Sequence, residues 1–560
     1  VTDTSKISLW RRAACWLGLA AACAFFTGPL LDPDLPWHLG AARHMLETGA
    51  VPRADFLSWT LAGKPWVDFE WGAQLLMYAV HKSAGTTGLL LLKAAAYSGV
   101  TLSFASLLML WELPLAWAAL AAPLFAMALL AVAQIRPEIF SLLLFSLELQ
   151  LLERRRLGRL RMGDGTIAVL HAAIYALWAN LHAGFVTGIL LCLCYCAGEL
   201  LSGNKKGFRL LGFAAAGMAA TLINPYGIGI YVVLADHWRH MAYLQYLITE
   251  WDSPGFSTYH IDGYWLVLAV SLAGLLAAVA RGIRLPPEHL AAVLLFGACA
   301  SRAIRTLPYV VILIYPMALL AWWRMVSPRW WRIARVPLMA VFALFMLWRL
   351  VPMLIGFRIM TLPGPLLARG PQHACDFLRA EKKIFVPLRM YNPYNWGGYI
   401  GYSMYPDFKV FIDGRYLFVD LLTDVDTAQK DPDGWSDFLE NRGVDYILDY
   451  NDGLMLRTKN DAVGHPFNAV ALPKEKWALV YWDSVSMVLV RRDRVPKDWL
   501  ARHEFRLLYP HDLRALRDRI SGHKDEVDAA AAEIGRYASE IGDPLEIARL
   551  QNWYASLQSK

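Results

Sequence analysis

Charge is scarce in this chain. Only 18% of its 560 residues are Asp, Glu, Lys or Arg, 57% are hydrophobic, and the mean hydropathy is +0.35. A soluble protein carries about a quarter charged residues, so a wholly water-exposed fold is excluded. Cysteine is scarce where a disulfide framework would need it. Six of the seven, Cys15, Cys23, Cys192, Cys194, Cys196 and Cys299, fall in apolar runs, and only Cys375 lies outside them. No disulfide can therefore form within the polar C-terminal part. The spacing Cys192-x-Cys194-x-Cys196 is a weak metal signal, because on a helix Cys194 points away from the other two, and a lipid-buried cysteine commonly serves as a small apolar filler. Neither a GxGxxG nor a GxxxxGK[ST] fingerprint stands at the glycine pair Gly397-Gly398, which leaves that pair without a nucleotide reading.

Long apolar runs are abundant. Residues 13–31, 89–110, 113–133, 166–181, 184–202, 207–225, 263–281, 288–306, 308–324 and 336–354 each approach or reach the ~17–25 residues that span a bilayer, and 137–153 makes an eleventh. Beyond about residue 357 no spanning run remains. Residues 1–356 hold 27 basic against 18 acidic side chains, and residues 357–560 hold 27 against 29. The net charge of +7 thus comes from the apolar part, in short basic loops, and no nucleic-acid patch is needed to explain it. These loops are Arg11-Arg12, Arg154–Arg156 with Arg159 and Arg161, Lys205-Lys206, Arg281 with Arg284, and Arg324 to Arg335. The positive-inside rule places them in the cytoplasm. Eleven spans satisfy all of them, with the N-terminus inside and the C-terminal domain outside. The first run follows Lys6, Arg11 and Arg12 without a small-x-small cleavage site before Asp32, and is read as a retained anchor. Residues 72–83 are apolar but short, and are expected to lie at the interface.

The fold class expected is an α-helical polytopic membrane protein: a transmembrane module over 1–356, an extracytoplasmic α/β domain over 357–510, and a helical tail over 511–560. In this topology the unusual polar motifs fall at the outer face. They are Asp32-Pro33-Asp34, Arg136-Pro137-Glu138, Asn180-Leu181-His182, Asn224-Pro225-Tyr226, Glu250-Trp251 and Arg302 with Arg305. An ionisable group at membrane depth costs roughly 2.5–3.5 kcal/mol and usually faces a cavity or a partner, so clusters gathered at one level suggest a site.

The first outer loop, residues 32–71, begins with the pair Asp32 and Asp34. Pro33 and Pro36 stop the first span, residues 37–48 form an amphipathic helix ending at Thr48-Gly49, and Trp59, Trp66 and Trp71 suit the headgroup level. The two carboxylates could be a solvated helix terminus. His38 follows them, and Asp68 and Glu70 close the same loop, which favours a functional cluster.

At these residues the chain resembles the GT-C superfamily of polyprenyl-linked sugar transferases. Pro33-Asp34 through His38, Ala41-Ala42-Arg43, Met45-Leu46 and Thr48-Gly49 are similar to the branch holding protein O-mannosyltransferases and the lipid A aminoarabinose transferase. The longer pattern DPDxxWHL, KPWVDFEW, IRPEIFS, WANLHAGF, NPYG, NWGGY and FIDGR, spread over most of residues 30–450, resembles a bacterial subgroup of that superfamily with no established substrate. The aspartate-glutamate doublet of O-mannosyltransferases is missing, since Leu35 follows Asp34, so their sugar and acceptor preferences do not transfer. The resemblance implies a bacterial inner-membrane enzyme and puts the catalytic role on Asp34, with Asp32 beside it.

The implied reaction moves a sugar from a polyprenyl-phosphate donor to a glycan, lipid or protein acceptor, with inversion. Asp34 is the expected base, since one carboxylate suffices for a single displacement. Asp32 raises its proton affinity. Glu138 is the expected second acid, or else a salt-bridge partner of Arg136. Arg136, Arg302 and Arg305 are the expected phosphate clamp, because guanidinium binds phosphate bidentately and keeps its charge at depth. Snorkelling toward headgroups is the alternative. Arg302 and Arg305, at i, i+3 spacing, would share a helix face. His182 would donate to phosphate or acceptor, or hold a turn. No cofactor is required, and Asp32, Asp34 and Glu138 are the oxygen ligands available to a divalent ion.

In the C-terminal part, Ile384–Leu388, Lys409–Ile412 and Tyr446–Leu448 read as strands, and Trp477–Trp482 with Val485–Val490 as a hairpin. Asn392 to Tyr399 reads as a Gly-rich aromatic loop in which Trp396 and Tyr399 would stack on a sugar, or pack as a turn. His38 and Glu70 complete the expected substrate contacts. Asp413 and Arg415 read as an internal ion pair, and residues 511–558 as two or three helices. A flippase for lipid-linked sugars would also explain the spans, but predicts midplane charges and inverted repeats that the sequence lacks. A non-catalytic envelope scaffold would tolerate Asp34→Asn.

Overall fold

The computed structural model describes residues 4–28, 30, 32–130, 132–255, 261–325, 344, 351, 370–451, 455–456 and 465–558. The expected span 336–354, most of the basic loop after Arg324 and the expected boundary at 356/357 lie outside them. The chain divides into two compact units. The first comprises Val1–Asp32, Ala41–Val51 and Val67–Gly364, and the second Pro33–Gly40, Pro52–Trp66 and Pro365–Lys560.

The first unit is helical. Its helices are α1 (Thr4–Ala24), the latter part of α2 (Leu35–Thr48), α3 (Trp71–Leu110), α4 (Leu115–Leu130), α5 (Glu138–Arg156), α6 (Asp164–Leu181), α7 (Phe185–Leu201), α8 (Phe208–Ala220), α9 (Gly229–Arg239), α10 (Met241–Leu247), α11 (Asp262–Ala280), α12 (Pro287–Ala300) and α13 (Leu307–Met325). Among the described residues, three helices are long and apolar enough to cross a membrane: Trp71–Leu110, Asp262–Ala280 and Ile304–Met325. Shorter apolar helices cover Arg12–Thr27, Leu115–Leu130, Phe185–Leu201 and Pro287–Ala300. Leu17, Leu201, Leu276 and Leu294 stand strongly exposed on the outside of these helices, a pattern that suits lipid and penalises water.

Residues 72–83 form a helical segment of their own, set off by a kink. They form the start of α3, which breaks at Gly85 (φ 60°, ψ −154°) before the run expected at 89–110. α5 shows why its ends fall where they do. Pro137 precedes it, Glu138 opens its first turn and Arg154–Arg156 close it, an arrangement that complements the helix dipole at both ends. α7 and α12 touch backbone to backbone at Gly198, where an added Cβ would lie 2.1 Å from the Glu288 nitrogen. Small residues permit such contacts between apolar helices. Buried Glu153 on α5 receives Trp111 Nε1, Tyr195 Oη and His289 Nε2 at 2.6 Å each and Arg156 Nε at 2.9 Å, so one carboxylate ties four segments together.

The second unit is built on a four-stranded sheet with strands β1 (Met390–Tyr391), β2 (Tyr446–Tyr450), β5 (Trp477–Trp482) and β6 (Ser486–Arg491), in the order β1-β2-β6-β5. β1 and β2 are parallel and the other pairs antiparallel. A two-stranded ribbon pairs β3 (Met455–Leu456) with β4 (His465–Pro466). The hairpin and the Tyr446 strand stand as expected. Ile384–Leu388 does not form a strand, since Lys382–Phe385 is a short helix. Lys409–Ile412 makes only one bridge, Val410 to Ser58. The segment read as a Gly-rich loop folds from Tyr394 to Ser403 as a helix, whose Trp396 and Ile400 enter the core with Cys375, Val410, Leu448 and Val488. Burial pushes the Cys375 thiol up to about 12, which leaves it inert. The tail forms helices Leu513–Ile520, Lys524–Glu540 and Pro544–Gln558, and Tyr537 packs on Trp482 with ring centroids 4.5 Å apart.

The first outer loop is divided between the two units. Residues 33–40 and 52–66 belong to the second unit, held by the Ser58–Val410 bridge and by Trp59 Nε1, which donates to the Met390 carbonyl at 2.8 Å.

Candidate functional site

The first unit gathers charged residues that lie far apart in the chain. Asp32, only 1% exposed, accepts from Arg136 Nε at 2.6 Å, and Arg136 Nη1 reaches Glu250 Oε2 at 2.5 Å. Two residues on, in the first turn of α5, Glu138 pairs with Arg305 Nη2 at 3.2 Å. Arg305 sits in the short turn Ile304–Thr306 between α12 and α13, anchored where the Ile304 N–H donates to the Asp252 carbonyl at 3.0 Å. Its guanidinium lies over the Trp251 ring, 4.5 Å from the centroid, a stacking that Arg makes and Lys does not reproduce.

Two cavities adjoin this cluster and share Glu138 and Arg305. The larger, of about 220 Å³, has a mainly apolar wall that includes Phe69, Val186, Val233, Leu234 and Tyr309, and a polar end formed by Glu138, His182 and Arg305. The smaller, of about 60 Å³, is lined by Tyr97, Gln134, Arg136, Glu138, Glu250 and Arg305 among others. An apolar wall ending in guanidinium and imidazole groups suits an amphiphile with an anionic head.

His182 is positioned through its back nitrogen. α6 ends at Leu181, and His182 is extended (φ −168°, ψ 150°). Its Nδ1 accepts the Gly184 backbone N–H at 3.0 Å and contacts Ser141 Oγ at 2.8 Å, while that hydroxyl accepts from Trp178 Nε1 at 2.7 Å. With Nδ1 an acceptor, the neutral ring carries its proton on Nε2, which lies 3.6 Å from Glu70 Oε1. Burial first, and then the nearby Arg305, push the imidazole pKa down to about 3, so the ring is a neutral donor at physiological pH.

Of the expected site residues, the first unit therefore unites Asp32, Glu70, Arg136, Glu138, His182 and Arg305. Arg302 does not join them. α12 ends at Ala300, so Arg302 and Arg305 share no helix face, and Arg302 is exposed and outside the lining of both cavities. Sequence reading singles out Glu250-Trp251 only as an unusual motif and misses His237 and Tyr309, whose signals are those of ordinary apolar-helix residues.

Asp34, His38, Trp396 and Tyr399 lie in the second unit. Asp34 precedes α2, and its carbonyl accepts the N–H groups of Trp37 and His38 at 3.1 and 3.3 Å. Its carboxylate lies against the glycine of Asp413-Gly414-Arg415: a Cβ at Gly414 would stand 1.9 Å from Asp34 Oδ1. The loop is held by a buried triad in which Arg415 Nη2 reaches Asp55 Oδ1 and Asp413 Oδ2 at 2.7 Å each, with Trp66 on the face of the guanidinium at 4.7 Å. Burial opposes the Arg415 charge, but Asp413 and Asp55 raise its pKa above the ordinary arginine value. His38 is buried, Trp396 is 2% exposed with its ring 4.2 Å from Tyr450, and Tyr399 packs on the same core. The Trp396 indole is a core group and offers no open face.

No protein-family model matches the sequence, and no curated protein matches it. Solved structures do. The Archaeoglobus fulgidus oligosaccharyltransferase AglB, in complex with an inhibitory peptide and a dolichol-phosphate, superposes with a TM-score of 0.54 at 11% identity, over 87% of this chain and 75% of that one. An Archaeoglobus fulgidus oligosaccharyltransferase in the apo form gives 0.51 at 12% identity, over 86% and 75%. ArnT from Cupriavidus metallidurans bound to undecaprenyl phosphate gives 0.49 at 15% identity, over 87% and 98%. The two oligosaccharyltransferase matches, both above a TM-score of 0.5, show that this chain shares their fold.

Proposed function

We propose that the chain is an inverting GT-C-type glycosyltransferase of the bacterial inner membrane, acting at the outer face on a polyprenyl-phosphate-linked sugar. The observation that carries the reading is the larger cavity of the first unit, whose apolar wall ends at Glu138, His182 and Arg305. That combination matches a phosphate attached to a hydrocarbon chain. The fold supports the same class, and one of its neighbours was solved with dolichol-phosphate.

Each group has a role. Arg136 and Arg305 hold the phosphate; Arg305, joined to Glu138 by one contact at 3.2 Å, is the cation that re-pairs when the donor arrives. His182 Nε2–H donates to a phosphate oxygen. Asp34 takes the proton of the acceptor hydroxyl as its oxygen bonds to the anomeric carbon. The bond from that carbon to the phosphate oxygen breaks, and polyprenyl phosphate leaves with the electron pair. The guanidinium groups stabilise the negative charge that develops there, an effect strongest where water is excluded. The displacement needs no cofactor. The acceptor is a glycan, lipid or protein hydroxyl.

The test is binding of undecaprenyl phosphate to the purified full chain in detergent. Arg305→Gln should weaken it by about tenfold or more, from the ~1.5–3 kcal/mol typical of a hydrogen bond to a charged group, and Arg302→Gln should leave it nearly unchanged. Equal affinity in wild type and Arg305→Gln overturns the assignment.

A further inference from the structure

Three side chains that the transfer reaction does not use meet inside the helical unit: Glu148 from α5, His171 from α6 and Cys192 from α7. A carboxylate oxygen, a ring nitrogen and the Sγ of these residues all lie within 4.8 Å of one another, and none of the three residues is exposed at all.

Glu148 contrasts with Glu153 on the same helix. Glu153 is saturated by Trp111, Tyr195, Arg156 and His289. His171 and Tyr175 adjoin the Glu148 carboxylate, and no other described group donates to either of its oxygens. Nε2 is 2.9 Å from Glu148 Oε1, and both atoms face the same small volume as Cys192 Sγ.

The other ring nitrogen, Nδ1, is 3.0 Å from the Ile167 carbonyl. A carbonyl only accepts, so Nδ1 holds the proton and the neutral ring presents a lone pair at Nε2. A hydrogen bond from the other ring nitrogen to a backbone carbonyl is what orients metal-ligating histidines. Charge points the same way. A buried carboxylate among apolar helices is costly, whereas a divalent cation with one carboxylate, one thiolate and one neutral imidazole carries no net charge. The mixed oxygen, nitrogen and sulfur set suits zinc and excludes calcium and magnesium, which take oxygen ligands.

We propose that Glu148, His171 and Cys192 form a zinc site that clamps α5, α6 and α7 together. Without metal the thiol makes a weak contact to the Leu210 carbonyl at 3.5 Å; on binding it gives up its proton to solvent and coordinates as thiolate. The clamp sits on the helices that carry Glu138 and lead into and out of the His182 turn, so it would stiffen the frame of the cavity.

The full chain, purified in detergent without chelator, is expected to hold a single zinc by elemental analysis. Replacement by cobalt should produce a thiolate-to-cobalt charge-transfer band. Cys192→Ser should abolish that band and the bound metal, and Cys194→Ser should keep both. Should the Cys192 variant fail to fold, X-ray absorption at the zinc edge of the wild type decides, with one sulfur among the ligands expected. A wild-type chain that takes up neither zinc nor cobalt, or a metal spectrum without a sulfur ligand, overturns the proposal and points to a simple buried His–Glu contact.

Discussion

The backbone N–H of Gly184 donates to Nδ1 of His182 at 3.0 Å, and through that contact it decides which face of the imidazole carries the proton. The residue is packed so tightly that a Cβ would stand 2.3 Å from Ser141 Oγ and 2.9 Å from His182 Nδ1. Gly184→Ala should therefore displace the ring and overpack the turn, costing about 1–3 kcal/mol. Thermal unfolding and donor binding measured on the same preparation should both fall.

Asp34→Asn keeps the shape of the side chain and removes its basicity. Glycan transfer should drop by about 10²–10⁴-fold, the share of a general base, with expression and unfolding temperature unchanged. Transfer retained by the purified variant would remove Asp34 from the mechanism and return the chain to the flippase or scaffold reading.

Gly414→Ala tests the support of that carboxylate. The new methyl would collide with Asp34 Oδ1 at 1.9 Å, and a misplacement of about 1 Å can cost ~10²-fold in rate. Gly397→Ala is the contrasting change, since its Cβ would meet the Ile412 carbonyl at 1.9 Å, a backbone atom that cannot step aside. Activity assays should show Gly414→Ala folded and slow, whereas Gly397→Ala should accumulate poorly.

Arg415→Met leaves Asp55 and Asp413 buried with no cation between them. Removing one partner of a buried ion pair costs about 3–5 kcal/mol, so denaturant unfolding followed by Trp fluorescence should show the second unit strongly destabilised.

Much of this arrangement was legible in the sequence where charge or backbone chemistry speaks locally. Arg154–Arg156 mark the end of α5, the Asn180-Leu181-His182 motif marks the end of α6, and the turn at Asp483-Ser484 separates two apolar runs that form the hairpin. The misreadings arise where tertiary packing overrides local preference. Gly397 and Gly398 argue for a loop, yet they sit in a helix, because only glycine lets it approach the Ile412 and Pro33 carbonyls at 1.9 and 2.9 Å from a would-be Cβ. Ile384–Leu388 has the composition of a strand but no neighbour to pair with. The division of the first outer loop between the units has no local signal, because the Ser58–Val410 bridge that draws its middle into the second unit joins positions some 350 residues apart. The Arg302–Arg305 spacing suggests one face only if the helix continues, and it stops at Ala300.

Gly85 gives α3 a property that its composition hides. As an unbroken rod, 40 residues would measure about 60 Å, twice the ~30 Å of a bilayer's hydrocarbon layer. Nothing lies within 4 Å of a Cβ at this position, yet its φ of +60° is one that L-residues rarely adopt. A single backbone torsion thus acts as the elbow between a membrane-length shaft and a separate forearm, and any bulkier amino acid there would push the forearm toward the shaft's own axis.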